Sequence, residues 1–284
     1  MKKDAAIILP SFTHPPDAIA VDMDGTLLDS RSNLSLRTIA AFEKLLESNF
    51  PVIIATSRAH RSIRRLLGSE IANACSLVTQ NGSFSLGRPP LSGHFREIIP
   101  EPVARELIGA ALALEPELRI TIEMKGETFG TNNPRDPASL WEVNSATPEM
   151  QLNLEQALQE GPSKFAISRR GTDITYLAAV IRERFNGILS VYEEKTRDFL
   201  NVTPVTAGKT NTLRRLLETK NLSMANTIAI GDDLPDYDML AACGYPIAMA
   251  NAVPQIKELC RYRTASNDED GVALVLERIL ETVT

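Results

Sequence analysis

Two hydrophobic rhythms divide the chain. Short unbroken apolar runs occur at 18–21, 52–55, 77–78 and 228–230, and each is followed at once, or after a single glycine, by polar residues. Runs of this kind predict strands buried on both faces of a parallel sheet. Between the first and second, apolar side chains recur at helical spacing in Leu36, Ile39, Phe42, Leu45 and Leu46. Ser35 is placed to cap that helix, and Asn49 and Pro51 to stop it. A second helix carries Ile63, Leu66 and Leu67 and ends at Gly68. Strand, helix, strand, helix, strand predicts an α/β fold with a doubly wound parallel sheet.

From 83 to 194 the rhythm changes. The stretches 119–124, 164–168 and 188–192 alternate apolar and polar residues, which predicts strands with one buried and one free face. Helices are predicted near 102–114 and near 172–185, the latter with Ile174, Leu177, Val180, Ile181 and Phe185 on one face; 131–137 reads as a loop. The expected organisation is therefore a core of residues 1–82 and 195–284 with an inserted α+β domain of residues 83–194. From about 196 the buried rhythm returns. Thr210 can cap a helix carrying Leu213, Leu216 and Leu217, residues 246–251 read as a further strand, and a last helix runs through Val272, Leu276, Ile279 and Leu280.

Composition narrows the function classes. The 284 residues carry 30 Lys and Arg against 36 Asp and Glu, a net charge of −6, which argues against nucleic acid as the main partner. Cys75, Cys243 and Cys260 are scattered and fit buried apolar positions in a reducing compartment. Only five small or apolar residues precede Pro10, too few for a secretory signal, and no apolar run approaches a membrane span. A cytoplasmic protein is expected, with no membrane partner, and nothing in the sequence points to an oligomeric state.

The candidate chemistry lies where apolar runs end: Asp22 and Asp24 after the first, Thr56 after the second, Asp232 and Asp233 after the fourth, with Asp236 close behind. A doubly wound sheet gathers such strand ends into one crevice. Taken alone, Asp22-Met23-Asp24-Gly25 also reads as a capped turn. Carboxylates crowded together raise one another's pKa values, and a hard cation such as Mg²⁺ relieves that repulsion. With the fixed charge of Lys209 and the Thr56 hydroxyl, the set suits phosphoryl transfer, where catalysis is mainly positioning and electrostatics.

The ordered set Asp22-x-Asp24-Gly25-Thr26, Thr56, Lys209 and Gly231-Asp232-Asp233-x-x-Asp236 resembles the four motifs of the haloacid dehalogenase superfamily. Gln80-Asn81-Gly82, Met249-x-Asn251-Ala252-x-Pro254-x-x-Lys257 and Asp270-Gly271-Val272-Ala273 are similar to its Cof-like branch, in which a large α/β cap is inserted into a Rossmann-like core. The resemblance covers nearly the whole chain. It implies that Asp22 is the nucleophile, Asp24 the general acid and base, Thr56 the phosphoryl-binding hydroxyl and Lys209 the group that holds nucleophile and phosphoryl in register. It further implies Mg²⁺ on the Asp22 carboxylate, the Asp24 carbonyl and Asp232, with Asp236 or Asp233 in support.

Three positions depart from the family pattern: Ser57 where glycine is common, Thr210 after Lys209 in place of glycine, and Pro235 in place of asparagine. The expected substrate is a small phosphorylated metabolite, most simply a sugar phosphate, with Ser57, Arg58, Asn81, Gly82 and Lys164 as candidate contacts. Arg88 and Arg135 are further cations that could grip an anion. A phosphomutase, or a phosphosugar-binding sensor without turnover, is the alternative. Gly208-Lys209-Thr210 lacks the upstream glycine of a nucleotide-binding loop, where Thr203 stands instead. Bacterial receiver domains also phosphorylate an Asp but lack the inserted domain, and His14, His60 and His94 fall outside the motifs.

Overall fold

The fold was examined in a computed structural model that describes residues 6–134, 145–194 and 196–283. Among these residues fourteen strands form two sheets. The first contains β1 (Ala18–Val21), β2 (Val52–Ala55), β3 (Ser76–Thr79), β4 (Phe84–Leu86), β5 (His94–Arg96), β12 (Thr227–Gly231), β13 (Tyr245–Ala248) and β14 (Tyr262–Arg263). Their order is β14-β13-β12-β1-β2-β3-β4-β5, parallel as far as β3 and antiparallel across β4 and β5. All residues of β1, β2, β3 and β12 are buried, as the apolar run at the centre of each requires. β1 lies between β2 and β12, where the chain reverses its direction of winding.

The helix Leu36–Glu47 starts at Ser35, whose hydroxyl accepts the Thr38 amide, and it packs against the final helix Gly271–Val283. The helix Lys209–Glu218 begins behind Gly208 with no side-chain cap, so Thr210 lies inside its first turn and caps nothing. All three cysteines are buried and free.

The second sheet has the order β10-β11-β9-β6-β7-β8, with β6 (Arg119–Glu123), β7 (Phe129–Thr131), β8 (Gln151–Leu152), β9 (Lys164–Ser168), β10 (Leu189–Glu193) and β11 (Phe199–Pro204). It is antiparallel apart from the β7–β8 pair. Its apolar face, with Ile120, Ile122, Phe165, Ile167, Leu200 and Val202, joins a second core with Leu107, Leu177 and Ile181 of the helices Glu101–Leu114 and Thr175–Arg184. Sheet membership moves the expected junctions. Residues 84–96 pair with the first sheet although the change of rhythm was placed at 83, and Phe199–Pro204 pairs between β10 and β9 although the core was expected to resume at 195. Part of the loop expected at 131–137, including Arg135, lies outside the described residues.

One close approach fastens the site into this frame. Gly82 has φ of +87°, and a Cβ there would stand 2.3 Å from the Gly208 carbonyl carbon. Gly82 therefore serves as a backbone contact, its carbonyl accepting the Thr212 hydroxyl at 2.7 Å. Gly82→Ala is expected to cost about 2 kcal/mol or more, readable as a lowered urea midpoint, because strain and overlap add at one position.

Candidate active site

Three carboxylates meet at the carboxyl ends of β1 and β12. Oxygens of Asp22, Asp232 and Asp236 all lie within 4.8 Å of one another, and all three residues are buried. Lys209, at the start of its helix, inserts Nζ between two of them, 2.6 Å from Asp22 Oδ1 and 2.7 Å from Asp236 Oδ1. The Asp236 carboxylate also accepts the backbone amides of Asp232 and Asp233, at 3.2 and 3.4 Å. Thr26 donates to Asp232 Oδ1 at 3.0 Å. Gly25 permits this crowding, since a Cβ there would come within 2.5 Å of an Asp232 oxygen.

The electrostatics follow from burial. Desolvation, and then the nearby Asp236, push the Asp22 carboxyl well above the ordinary carboxylate range, with Lys209 pulling the other way and Asp232 adding to the rise. Burial would lower the Lys209 ammonium, yet Asp22 and Asp236 overcome it and raise its pKa above the usual lysine value. Three buried acids against one buried ammonium leave negative charge in excess. Oxygen donors alone, clustered and short of positive charge, fit a hard divalent cation.

The other expected residues take up distinct places. Asp24 turns away from the cluster, and both its oxygens are held at 2.7 Å by the fork of Arg58. Arg58 is thus paired with a carboxylate, and it also lines the cavity between the two sheets. Asp233 lies outside the cluster, its Oδ1 accepting the Leu234 amide at 2.9 Å and capping the short helical turn Leu234–Asp236. Pro235 suits the first turn of that helix, where its missing N–H has no partner to lose. Thr56 is buried, its hydroxyl accepting the Arg58 amide at 3.1 Å and its carbonyl the Asn81 amide at 3.2 Å. Asn81 is left-handed at φ +57°, and its side-chain oxygen is buried without a partner among the described residues. Arg88 donates its amide to Ser76 at 2.9 Å and is not part of the crevice wall. His14 and His94 are exposed, and His60 pairs with Glu127 at 3.2 Å.

A cavity of about 590 Å³ opens between the two sheets. Asp24, Ser57, Arg58 and Arg61 form its core side. Its other side is the polar face of the second sheet, where Thr121 lies opposite Ala166, and Ala166 opposite Asn201. The free face read from the alternating strands is therefore the cavity wall, and the signal for its lining residues was the polar half of each alternation. Two further residues lie outside that alternation, Asn251 within the Met249–Lys257 motif and Arg61 with no sequence signal. Arg61 forks onto Glu123 at 2.5 and 2.7 Å, a buried pair that ties the helix His60–Leu67 to β6. Asn251 donates to the Gly25 carbonyl at 2.7 Å and holds the turn behind Asp24.

Comparison with known proteins agrees with this geometry. Residues 19–276 match the family model of haloacid dehalogenase-like hydrolases. The phosphatase YwpJ of Bacillus subtilis is 28% identical over 291 residues, covering 92% of this chain and 99% of that protein. The 5-amino-6-(5-phospho-D-ribitylamino)uracil phosphatase YwtE of the same organism is 23% identical over 279 residues, covering 92% and 97%. Among solved structures, a haloacid dehalogenase-like hydrolase from Bacteroides thetaiotaomicron superposes with a TM-score of 0.79 at 25% identity, covering 93% of this chain and 99% of that one. With acids at the ends of β1 and β12 and a second sheet roofing the crevice, the chain belongs to the haloacid dehalogenase-like hydrolases and is a phosphatase of that family.

Proposed function

We propose that this phosphatase is Mg²⁺-dependent, releases phosphate from a small phosphorylated metabolite of the sugar-phosphate class, and works through an aspartyl phosphate on Asp22. The observation that carries the reading is Lys209, buried between Asp22 and Asp236 where strand ends meet the crevice. Asp22 attacks phosphorus while the ester oxygen leaves and takes a proton from Asp24, whose carboxyl must first be released from the fork of Arg58. Asp24 then takes a proton from water as that water attacks the aspartyl phosphate, and Asp22 is regenerated with free phosphate. Lys209 and the Thr56 hydroxyl hold phosphoryl oxygens, and Lys209 keeps Asp22 aimed. Mg²⁺ would be held by the Asp22 and Asp232 carboxylates and the Asp24 carbonyl, with Asp236 in support, and would offset charge on the phosphoryl group.

The cavity favours a small substrate over a phosphoprotein. Its roof sets hydroxyl and amide side chains (Thr121, Ser168, Asn201) among charged ones (Arg119, Arg170, Glu194), which suits a hydroxylated and charged body, and a seated cap keeps out bulk water. The relative YwtE, whose name specifies a phosphorylated ribityl compound, is consistent with that chemistry. The test is phosphate release from a panel of phosphorylated metabolites, with Mg²⁺ and with a chelator present. Sugar and polyol phosphates are expected to give the highest rates, with activity lost on chelation and restored by Mg²⁺. Isomer accumulating from a hexose 1-phosphate without free phosphate would show a phosphomutase instead, and chelator-resistant release would overturn the metal assignment.

A further inference from the structure

One buried cation has no part in the chemistry above. Lys164 is the first residue of β9, paired in register with Glu123 of β6, and is 7% exposed. Its Nζ donates at 2.9 Å to the carbonyl of Ser57, across the crevice in the other sheet's loop. That carbonyl belongs to the peptide unit joining Ser57 and Arg58, and the N–H of the same unit donates to Thr56 Oγ1 at 3.1 Å. One planar group thus links an ammonium on the cap to the hydroxyl at the end of β2. A peptide unit is stiff, so rotating it far enough to lose one of these bonds disturbs the other. Because Thr56 Oγ accepts from this N–H, its own proton is left to donate elsewhere.

We propose that Lys164 is a positioning residue: it grips the 57–58 peptide from the cap and so aims the Thr56 hydroxyl at the phosphoryl group when the second sheet is seated. This rests on the reading of Thr56 as the phosphoryl-binding hydroxyl. The neighbours agree with such a role. Arg61, three residues beyond Arg58, forks onto Glu123, and its amide donates to the Gly126 carbonyl at 3.0 Å, fixing the β6–β7 turn against the same segment. The charged groups facing Lys164 are Glu123, Glu194, Arg61 and Arg58. Burial pushes its ammonium down to about 8, with the two glutamates opposing and the two arginines adding to the shift. The fold therefore bears a desolvation cost at a position that methionine could fill. Ser57 adds to the effect, because a residue with a Cβ leaves this loop less backbone freedom than glycine would.

Orthovanadate inhibition and p-nitrophenyl phosphate turnover test the proposal in the full chain, alongside thermal melts. Lys164→Met is expected to raise the inhibition constant for vanadate about tenfold and to lower kcat by a similar factor, the range for losing a hydrogen bond from a charged donor. In a Thr56→Ala background the same substitution is expected to do less than about twofold more, since the two act through one peptide. Equal, multiplying effects in both backgrounds would overturn the proposal. So would an unmoved vanadate constant with only KM for sugar esters raised, which would make Lys164 a substrate contact. Lys164→Gln supplies the same comparison if the methionine variant does not fold. Wild-type-like activity and vanadate binding in Thr56→Ala alone would count instead against the underlying assignment of Thr56.

Discussion

Asp22→Asn is expected to abolish phosphate release, by about 10³-fold or more, while leaving the fold intact. Asparagine matches the shape of aspartate and can still accept from Lys209 Nζ, which stands 2.6 Å from Asp22 Oδ1. It cannot form an acyl phosphate, so the route through a covalent intermediate closes. The substitution also removes a carboxyl that burial and Asp236 destabilise in its charged form. Thermal stability without metal should consequently hold or rise. Rapid-quench experiments with a labelled phosphate ester would show label on the wild-type protein and none on the variant. Residual turnover near the wild-type rate would remove Asp22 from the mechanism and leave Asp24 or Asp232 to be examined as nucleophiles.

Lys209→Met is the substitution expected to cost the most stability. The lysine is buried and touches two buried carboxylates, at 2.6 and 2.7 Å. Removing one partner of a buried ion pair typically costs about 3–5 kcal/mol, because the remaining charge has neither water nor counterion. Here two acids are left, with Asp232 beside them. The variant should show a lowered urea midpoint, greatest near neutral pH. Its sign with pH is fixed by linkage: a carboxyl whose folded pKa is raised favours the folded state at low pH and loses that advantage as pH rises through the folded value. The deficit should therefore shrink as pH falls toward the ordinary carboxylate range. A loss below about 1 kcal/mol across pH 5–8 would mean that the acids find other counter-charge.

The parts of this molecule that could be read from sequence share a physical cause. β1 and β2 are unbroken apolar runs, and β3 and β12 carry apolar centres, because all four are covered on both faces; their ends are legible because the first polar residue after burial stands out. Asp22, Asp24, Thr56 and Asp232 were singled out in that way, and Ser35, which does cap its helix, by its place before a helical repeat. β11 misled because it lies between β10 and β9, where Leu200 and Val202 sit in the cap core while Asn201 and Thr203 are also buried. A strand covered on both sides looks like a core strand whichever sheet it joins. The short strands β4 and β5 gave little periodicity to read. The fork of Arg58 on Asp24 and that of Arg61 on Glu123 link residues 34 and 62 positions apart, with no local pattern to announce either.

Glu97 lies just after β5, where the chain leaves the first sheet, and Thr206 just after β11, where it leaves the second. The two are joined directly at 2.9 Å, and Arg215 of the returning helix holds Glu97 at 2.6 Å. Both crossings are therefore stapled at one point. For evolution, this makes the second sheet and its helices a single cassette in the gene, entered and left through one fastened doorway. Changes within that cassette leave the strand ends that carry Asp22, Lys209 and Asp232 in place, whereas Thr56 is reached from it through Lys164 and the 57–58 peptide.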